Sequence, residues 1–242
     1  MKHIVITGAS TGIGAATAKE FAEGNTIFVH YNSSEDAAKK IAAEVEKKGG
    51  KSLLIQADLA ENQGCEKLAE AVKNQTDSVD ILINNAGGLL KRHTPEELTW
   101  KIASDTFSLN VFSVMRVTAL LIPLLKKGSE SNIINITSVA ARTGSPTATT
   151  YAAAKGALDT FTRGLAKALA PKIRANSIAP GIIITPFHEK STPPEQMEKF
   201  IHATPLGKPG YPEDIAKAIR FIVESSFITG ESLDINGGIF MR

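Results

Sequence analysis

Short apolar, β-branched runs recur along the chain at His3–Ile6, Thr26–Tyr31, Ser52–Gln56, Val79–Ile83, Asn132–Thr137, Arg174–Ile178 and Ser232–Ile235. Each predicts a strand. Between them the period changes to three and four residues: Ala37, Ile41 and Val45 with Ala38 and Ala42, or Leu158, Phe161, Leu165 and Leu169. That spacing puts apolar side chains on one helix face. The runs are apolar at odd and even positions alike, as in strands covered on both faces, and they alternate with helices throughout. The pattern predicts an α/β fold: a doubly wound parallel sheet of about seven strands, with helices on both faces and right-handed crossovers. No Pro/Gly/Ser-rich linker, repeat or low-complexity tract interrupts it, which predicts a single domain over residues 1–242.

One stretch breaks the regularity. From Pro180 to Tyr211 the chain carries Pro180, Pro186, Pro193, Pro194, Pro205 and Pro209, with a single helical pattern near Pro194–Ile201. A long irregular segment in a compact domain is usually functional, and a substrate loop is expected at about 182–211.

Composition narrows the class. Hydrophobic residues are 43% and charged residues 21% of the 242, and the net charge is +2, which fits a globular protein and not a disordered one. The basic pairs Lys47-Lys48, Lys91-Arg92 and Lys126-Lys127 are scattered, so no nucleic-acid partner is expected. Cys65 is the single cysteine, and His3, His30, His93, His188 and His202 lie far apart, so neither a disulfide nor a metal site is expected. Met1-Lys2-His3 leads straight into Ile4-Val5-Ile6. The start has no signal-peptide pattern and no apolar stretch reaches the roughly 18 residues of a membrane span, so a cytoplasmic protein without membrane contact is expected.

The first candidate chemistry follows the first strand. In Thr7-Gly8-Ala9-Ser10-Thr11-Gly12-Ile13-Gly14 the glycines permit a tight turn into a helix running to about Glu23. A pyrophosphate could sit at that helix N-terminus, where free N–H groups and the dipole favour an anion. The spacing, Gly-x-x-x-Gly-x-Gly, is one residue longer than the usual Rossmann fingerprint. The same residues spell Gly8-x-Ser10-x-Gly12, the nucleophile elbow of serine hydrolases. An elbow follows a central strand late in the sheet and needs an oxyanion loop before it, whereas only seven residues precede Gly8.

A second pair lies farther on. Tyr151 and Lys155 stand four apart at the start of a helical segment, hence on one face. A unit charge at about 4 Å in an effective dielectric of about 20 contributes about 4 kcal/mol, enough to bring a phenol from about 10 to near 7. Tyr151 would then serve as a general acid or base. Alone, such a pair is also what an ordinary surface helix shows.

With these motifs in order, the sequence resembles the short-chain dehydrogenase/reductase family along its length. Thr7–Gly14 matches the cofactor loop, Asp58-Leu59 the adenine-contacting pair, and Asn84-Asn85-Ala86-Gly87 the motif after the fourth strand. Asn110, Ser138, Tyr151 and Lys155 match the catalytic tetrad; Asn176, Pro180-Gly181 and Thr185 match the segment that closes over the nicotinamide. The resemblance implies a Rossmann fold and hydride transfer between a nicotinamide cofactor and a carbonyl or alcohol. It implies that Ser138 holds the substrate oxygen, that Tyr151 moves the proton, that Lys155 holds the ribose hydroxyls and that Asn110 fixes a water. Thr185 and the backbone near Ile183 would anchor the carboxamide. No metal is implied, because the cofactor carries the redox chemistry.

Cofactor choice is read from the end of the second strand, His30-Tyr31-Asn32-Ser33-Ser34, which has no carboxylate for a ribose 2′-hydroxyl. Tyr31, Asn32 and Ser33 are therefore candidate contacts, and NADP(H) is favoured over NAD(H), although Glu35 and Asp36 lie close by and no arginine stands there. Within the family the sequence looks most similar to 3-oxoacyl-acyl-carrier-protein reductase-like bacterial members, with a small-molecule or acyl-thioester substrate. A sugar or polyol dehydrogenase is the alternative, and a nucleotide-binding regulator without turnover is an alternative of another class. Small residues Ala153, Gly156, Ala157, Thr160 and Gly164 share a face of the Tyr151 helix, and a homo-oligomer, in particular a tetramer, is expected there.

Overall fold

The computed structural model of the chain describes residues 1–186 and 192–241. The stretch 187–191 of the expected substrate loop, with His188, lies outside them. Seven strands form one parallel sheet: β1 (His3–Ile6), β2 (Thr26–Tyr31), β3 (Lys51–Gln56), β4 (Ile81–Asn84), β5 (Ser131–Ile136), β6 (Ile173–Pro180) and β7 (Ser232–Ile235). Their spatial order is β3-β2-β1-β4-β5-β6-β7, every neighbouring pair parallel. The order reverses between β1 and β4, and a crevice opens at such a switch point outside the carboxyl ends of the strands.

The intervening helices are α1 (Gly12–Glu20), α2 (Glu35–Lys47), α3 (Asn62–Lys73), α4 (Trp100–Phe107), α5 (Ser113–Leu125), α6 (Ala140–Thr143), α7 (Thr149–Leu169), α8 (Pro194–His202) and α9 (Pro212–Glu224). Two cores sandwich the sheet. Ile4, Ile6, Ile27, Val29, Ile81 and Ile83 point to one face, against α1, α2 and α9 through Ala18, Ile41 and Ile219. Val5, Phe28, Leu82 and Ile133 point to the other, against α3, α5 and α7 through Leu68, Leu121 and Leu165. The period-2 alternation therefore sends both parities into apolar surroundings, which is why the strand sequences read as unbroken hydrophobic runs.

One expectation changes. The helix that leads to Asn110 begins at Trp100, where the Thr99 hydroxyl accepts from the Ile102 N–H at 3.2 Å. It continues to Leu125 through one π-helical turn, Ser108–Phe112. By length and composition this 26-residue stretch could cross a membrane, its hydropathy reaching 1.7, contrary to the expectation that no stretch would qualify. Its inner side, with Val117, Leu121 and Leu125, is buried in the second core, so in the fold it is a core helix.

Candidate active site

The turn after β1 places Gly8 and Gly12 at φ 64 and φ 54, left-handed conformations that glycine adopts without strain. Gly14 serves packing: a Cβ there would collide with the Gly8 carbonyl and the Asn85 amide. His30, at the end of β2, latches the turn from below. Its Nδ1 accepts from the Gly8 N–H at 2.9 Å while Nε2 faces the Ala57 carbonyl at 3.0 Å, which sets the tautomer as Nε2–H. Burial drives its pKa down to about 4, so the ring is neutral and able to accept.

A cavity of about 520 Å³ runs from this turn along the carboxyl ends of the strands. Of the residues expected at a cofactor, Gly8, Ser10, Thr11, Gly12, Ile13, Asn32, Ser33, Asp58, Leu59, Ala86, Gly87, Pro180, Gly181, Ile183 and Thr185 line it, together with Ser138, Tyr151 and Lys155. Three expected contacts do not. Tyr31 packs on the first core, because alternation along β2 turns it to the face opposite His30. Asn84 is buried and donates to Thr118 Oγ1 at 3.0 Å and Asn135 Oδ1 at 2.9 Å, tying β4 to α5 and β5. Its neighbour Asn85 lines the cavity instead and donates to the Thr7 and Gly8 carbonyls. Gly14 lies beneath the turn, for the reason given above. His30 and Ser34 also line the cavity.

The chain offers a fitting cradle for a dinucleotide. Thr11, the N-cap of α1, makes no side-chain cap bond, and no acidic residue occupies the helix's first turn, which leaves the helix N-terminus suited to an anion. Bare backbone at Gly12 leaves Thr185 directly above: a Cβ would meet the threonine methyl at 3.1 Å. At Gly87 an added Cβ would meet Asn110 Oδ1 at 2.7 Å and Lys155 Nζ at 3.2 Å, so the missing side chain keeps the floor of the catalytic end open.

The tetrad comes from three elements: the turn after β5, α7 and the π turn. Ser138 follows β5, and its hydroxyl accepts from the Ala140 N–H at 3.1 Å as α6 begins. It lines the same cavity as the Tyr151 phenol, which stands in the first turn of α7, and its hydroxyl favours the phenolate. Lys155, one turn later and buried, donates to the Ile136 carbonyl at 2.9 Å and lies 5.7 Å from the Tyr151 ring centre. Asn110 sits on the π turn, completely buried. Its amide donates to the carbonyls of Gly88 at 2.9 Å and Thr106 at 3.0 Å, and its Oδ1 accepts from the Gly88 N–H at 2.9 Å. Both amide hydrogens are thus engaged, and only an Oδ1 lone pair is left for the expected water.

The electrostatics differ from the expectation. Burial pushes the Tyr151 phenol up to about 12, the Ser138 hydroxyl opposing the rise, and burial pulls Lys155 down to about 8. The expected drop of the phenol toward 7 does not occur in the chain by itself. The ammonium is aimed at a backbone carbonyl, and desolvation disfavours both charged forms.

A model of the family described as short chain dehydrogenase matches residues 2–196. The chain belongs to this family. Among short-chain dehydrogenases, a 3-oxoacyl-[acyl-carrier-protein] reductase of Synechocystis sp. is 35% identical over 246 residues, covering 98% of this chain and 96% of that protein. The angucycline C-6 ketoreductase LanV, solved with bound NADP, superposes with a TM-score of 0.91 at 30% identity, over 98% of this chain and 95% of that one. An NADH-dependent reductase, A1-R′, responsible for alginate metabolism, gives 0.91 at 30% identity over 100% and 98%. This short-chain dehydrogenase is accordingly an oxidoreductase of carbonyl and alcohol groups that binds a nicotinamide dinucleotide.

Proposed function

We propose that the chain is an NADPH-dependent reductase of a 3-oxoacyl-type carbonyl, with Tyr151 as the general acid. The observation that carries this is that Ser138, Tyr151 and Lys155 line one cavity that continues to the glycine turn. Bound NADPH would supply the hydride. Ser138 holds the substrate oxygen against the phenol before transfer, which converts a random encounter into a positioned one. Tyr151, with its pKa near 12, is protonated at neutral pH and gives its proton to the oxygen as negative charge develops there. Lys155 binds the ribose hydroxyls, and Asn110 fixes the loop at Gly88.

The preference for NADPH rests on Asn32, Ser33 and Ser34, which line the adenosine end and carry no carboxylate. Ser34 starts α2 without a side-chain cap bond, leaving its hydroxyl and the helix N–H groups for a 2′-phosphate. At the catalytic end, Leu89, Val139, Ile182, Phe200 and Ile239 make the lining largely apolar, which suits an acyl chain better than a polyol. The sugar or polyol reading keeps one supporting observation, the likeness to the reductase of alginate metabolism. A regulator without turnover would be expected to lack part of the tetrad, and here all four residues are present.

The acting form is a homo-oligomer, a tetramer, in the cytoplasm. Added side chains at Gly156 and Gly164 would meet nothing within 4 Å among the described residues, so the packing described for the chain does not explain these glycines. The free, buried Cys65 suits a reducing compartment.

The test is a screen of acyl thioesters, keto-sugars and small diketones, following loss of NADPH absorbance. Turnover of acyl thioesters above the other classes supports the reading; turnover confined to keto-sugars replaces it with the sugar alternative.

A further inference from the structure

Ser138 and Tyr151 come from two segments that also touch behind the site. Along α7, Tyr151, Lys155 and Asp159 follow one another at four-residue steps and share a face. Along the other segment, Arg142 stands four residues after Ser138. Arg142 Nη1 meets Asp159 Oδ2 at 2.5 Å, with side-chain exposures of 12% and 6%. The two segments therefore face one another across the cavity at Ser138 and Tyr151 and are tied behind it by Arg142 and Asp159.

This tie is built into the sheet. Arg142 Nε reaches Asp234 Oδ1 of β7 at 3.2 Å, and the Ser177 hydroxyl of β6 donates to Asp159 Oδ1 at 3.2 Å. Arg163, one turn along α7, adds a bond to Asp159 Oδ2 at 2.9 Å. Against the cost of burial, the guanidinium groups of Arg142 and Arg163 hold Asp159 below the usual carboxylate range. A buried ion pair of this kind is a poor source of stability, because hydrophobic residues of the same volume often do as well. What it supplies is a fixed geometry, and the geometry fixed here is the approach of α6 to α7.

We propose that Arg142 and Asp159 are positioning residues for the reaction, and that their buried pair holds Ser138 within hydrogen-bonding reach of Tyr151. The proposal rests on the assignment of Ser138 and Tyr151 as the groups that hold and protonate the substrate oxygen. Misplacement of about 1 Å costs up to about 10²-fold in rate, so loosening this tie should slow turnover by about 10- to 100-fold. Cofactor affinity should hold, since neither Arg142 nor Asp159 lines the cavity.

The experiment uses the full chain in four forms: wild type, Asp159→Asn, Ser138→Ala and the double variant. Turnover is measured with NADPH and a β-keto ester, and NADPH dissociation by fluorescence. The chain has three tyrosines, so carbon-13 placed at their Cζ atoms reports on the Tyr151 phenol without any turnover. In Asp159→Asn the Tyr151 resonance should move toward its position in Ser138→Ala, and turnover should fall while NADPH binding stays within about twofold. In the double variant, loss of Asp159 should add almost nothing, because its partner in the effect is already gone. Should Asp159→Asn fail to fold, Arg142→Lys, which cannot span both aspartates, should give the same pattern more weakly. An unmoved Tyr151 resonance, or a full and additive loss in the Ser138→Ala background, would overturn the proposal. Undiminished turnover in Ser138→Ala alone would instead overturn the assignment on which it rests, and the proposal with it.

Discussion

Acidification should weaken the fold through His30. The ring is buried, accepts from Gly8 and is held neutral down to about pH 4, against an ordinary value of 6.5. As pH falls through 6.5 the unfolded chain takes a proton on this histidine, and the folded chain does not until about 4. Over that window the unfolded state binds more protons, so stability falls with falling pH. At about 1.4 kcal/mol per unit the loss amounts to about 3 kcal/mol by the time the window is crossed. The comparison to make is with His30→Asn, whose amide oxygen can still accept from Gly8 but does not titrate. Urea unfolding of both proteins between about pH 7.5 and 4.5 should show the wild type losing most of that amount relative to the variant, since carboxylates and the other histidines contribute to both. A difference between the two that stays flat across the range would show that His30 is not held neutral by burial.

Other outcomes follow from the same site. Lys155→Met removes a buried ammonium whose pKa burial has pulled down to about 8, so without cofactor its thermal midpoint should be no lower than that of the wild type while turnover is lost. Asn32→Asp adds a carboxylate to the adenosine end of the cavity; NADPH binding, followed by fluorescence titration, should weaken by about tenfold or more, with NADH much less affected. Gly156→Leu should lower the oligomeric state measured by light scattering, and because the same helix carries Tyr151, it should lower activity too.

What the sequence could reveal follows from its periodicities. Strand and helix positions were legible because apolar runs and three-to-four spacing report burial directly, and the ends moved by only a few residues, as at α1, which stops at Glu20 and not near Glu23. Which face a strand residue takes was not legible, because strands covered on both sides carry no polar alternation. That is how Tyr31 came to be expected in the cavity where His30 stands, and Asn84 where Asn85 stands. Asp159 shows the same limit on a helix. Helix spacing relates it only to its neighbours on α7 and says nothing of Arg142, seventeen residues earlier, with which it is buried. The π turn at Asn110 left no mark in the pattern, since one wide turn inside a long apolar helix shifts the period too briefly to register. The phenol's pKa was misjudged because helix spacing shows that Lys155 is near, and says nothing of the Ile136 carbonyl that claims its ammonium.

The most direct test of the account is single-turnover reduction of the best carbonyl substrate by Tyr151→Phe with saturating NADPH. If Tyr151 supplies the proton, the rate should fall by about 10²–10⁴, the range typical of general acid catalysis, with NADPH binding unchanged. A variant that reduces the substrate at a rate near that of the wild type would contradict the assignment of Tyr151 as the acid.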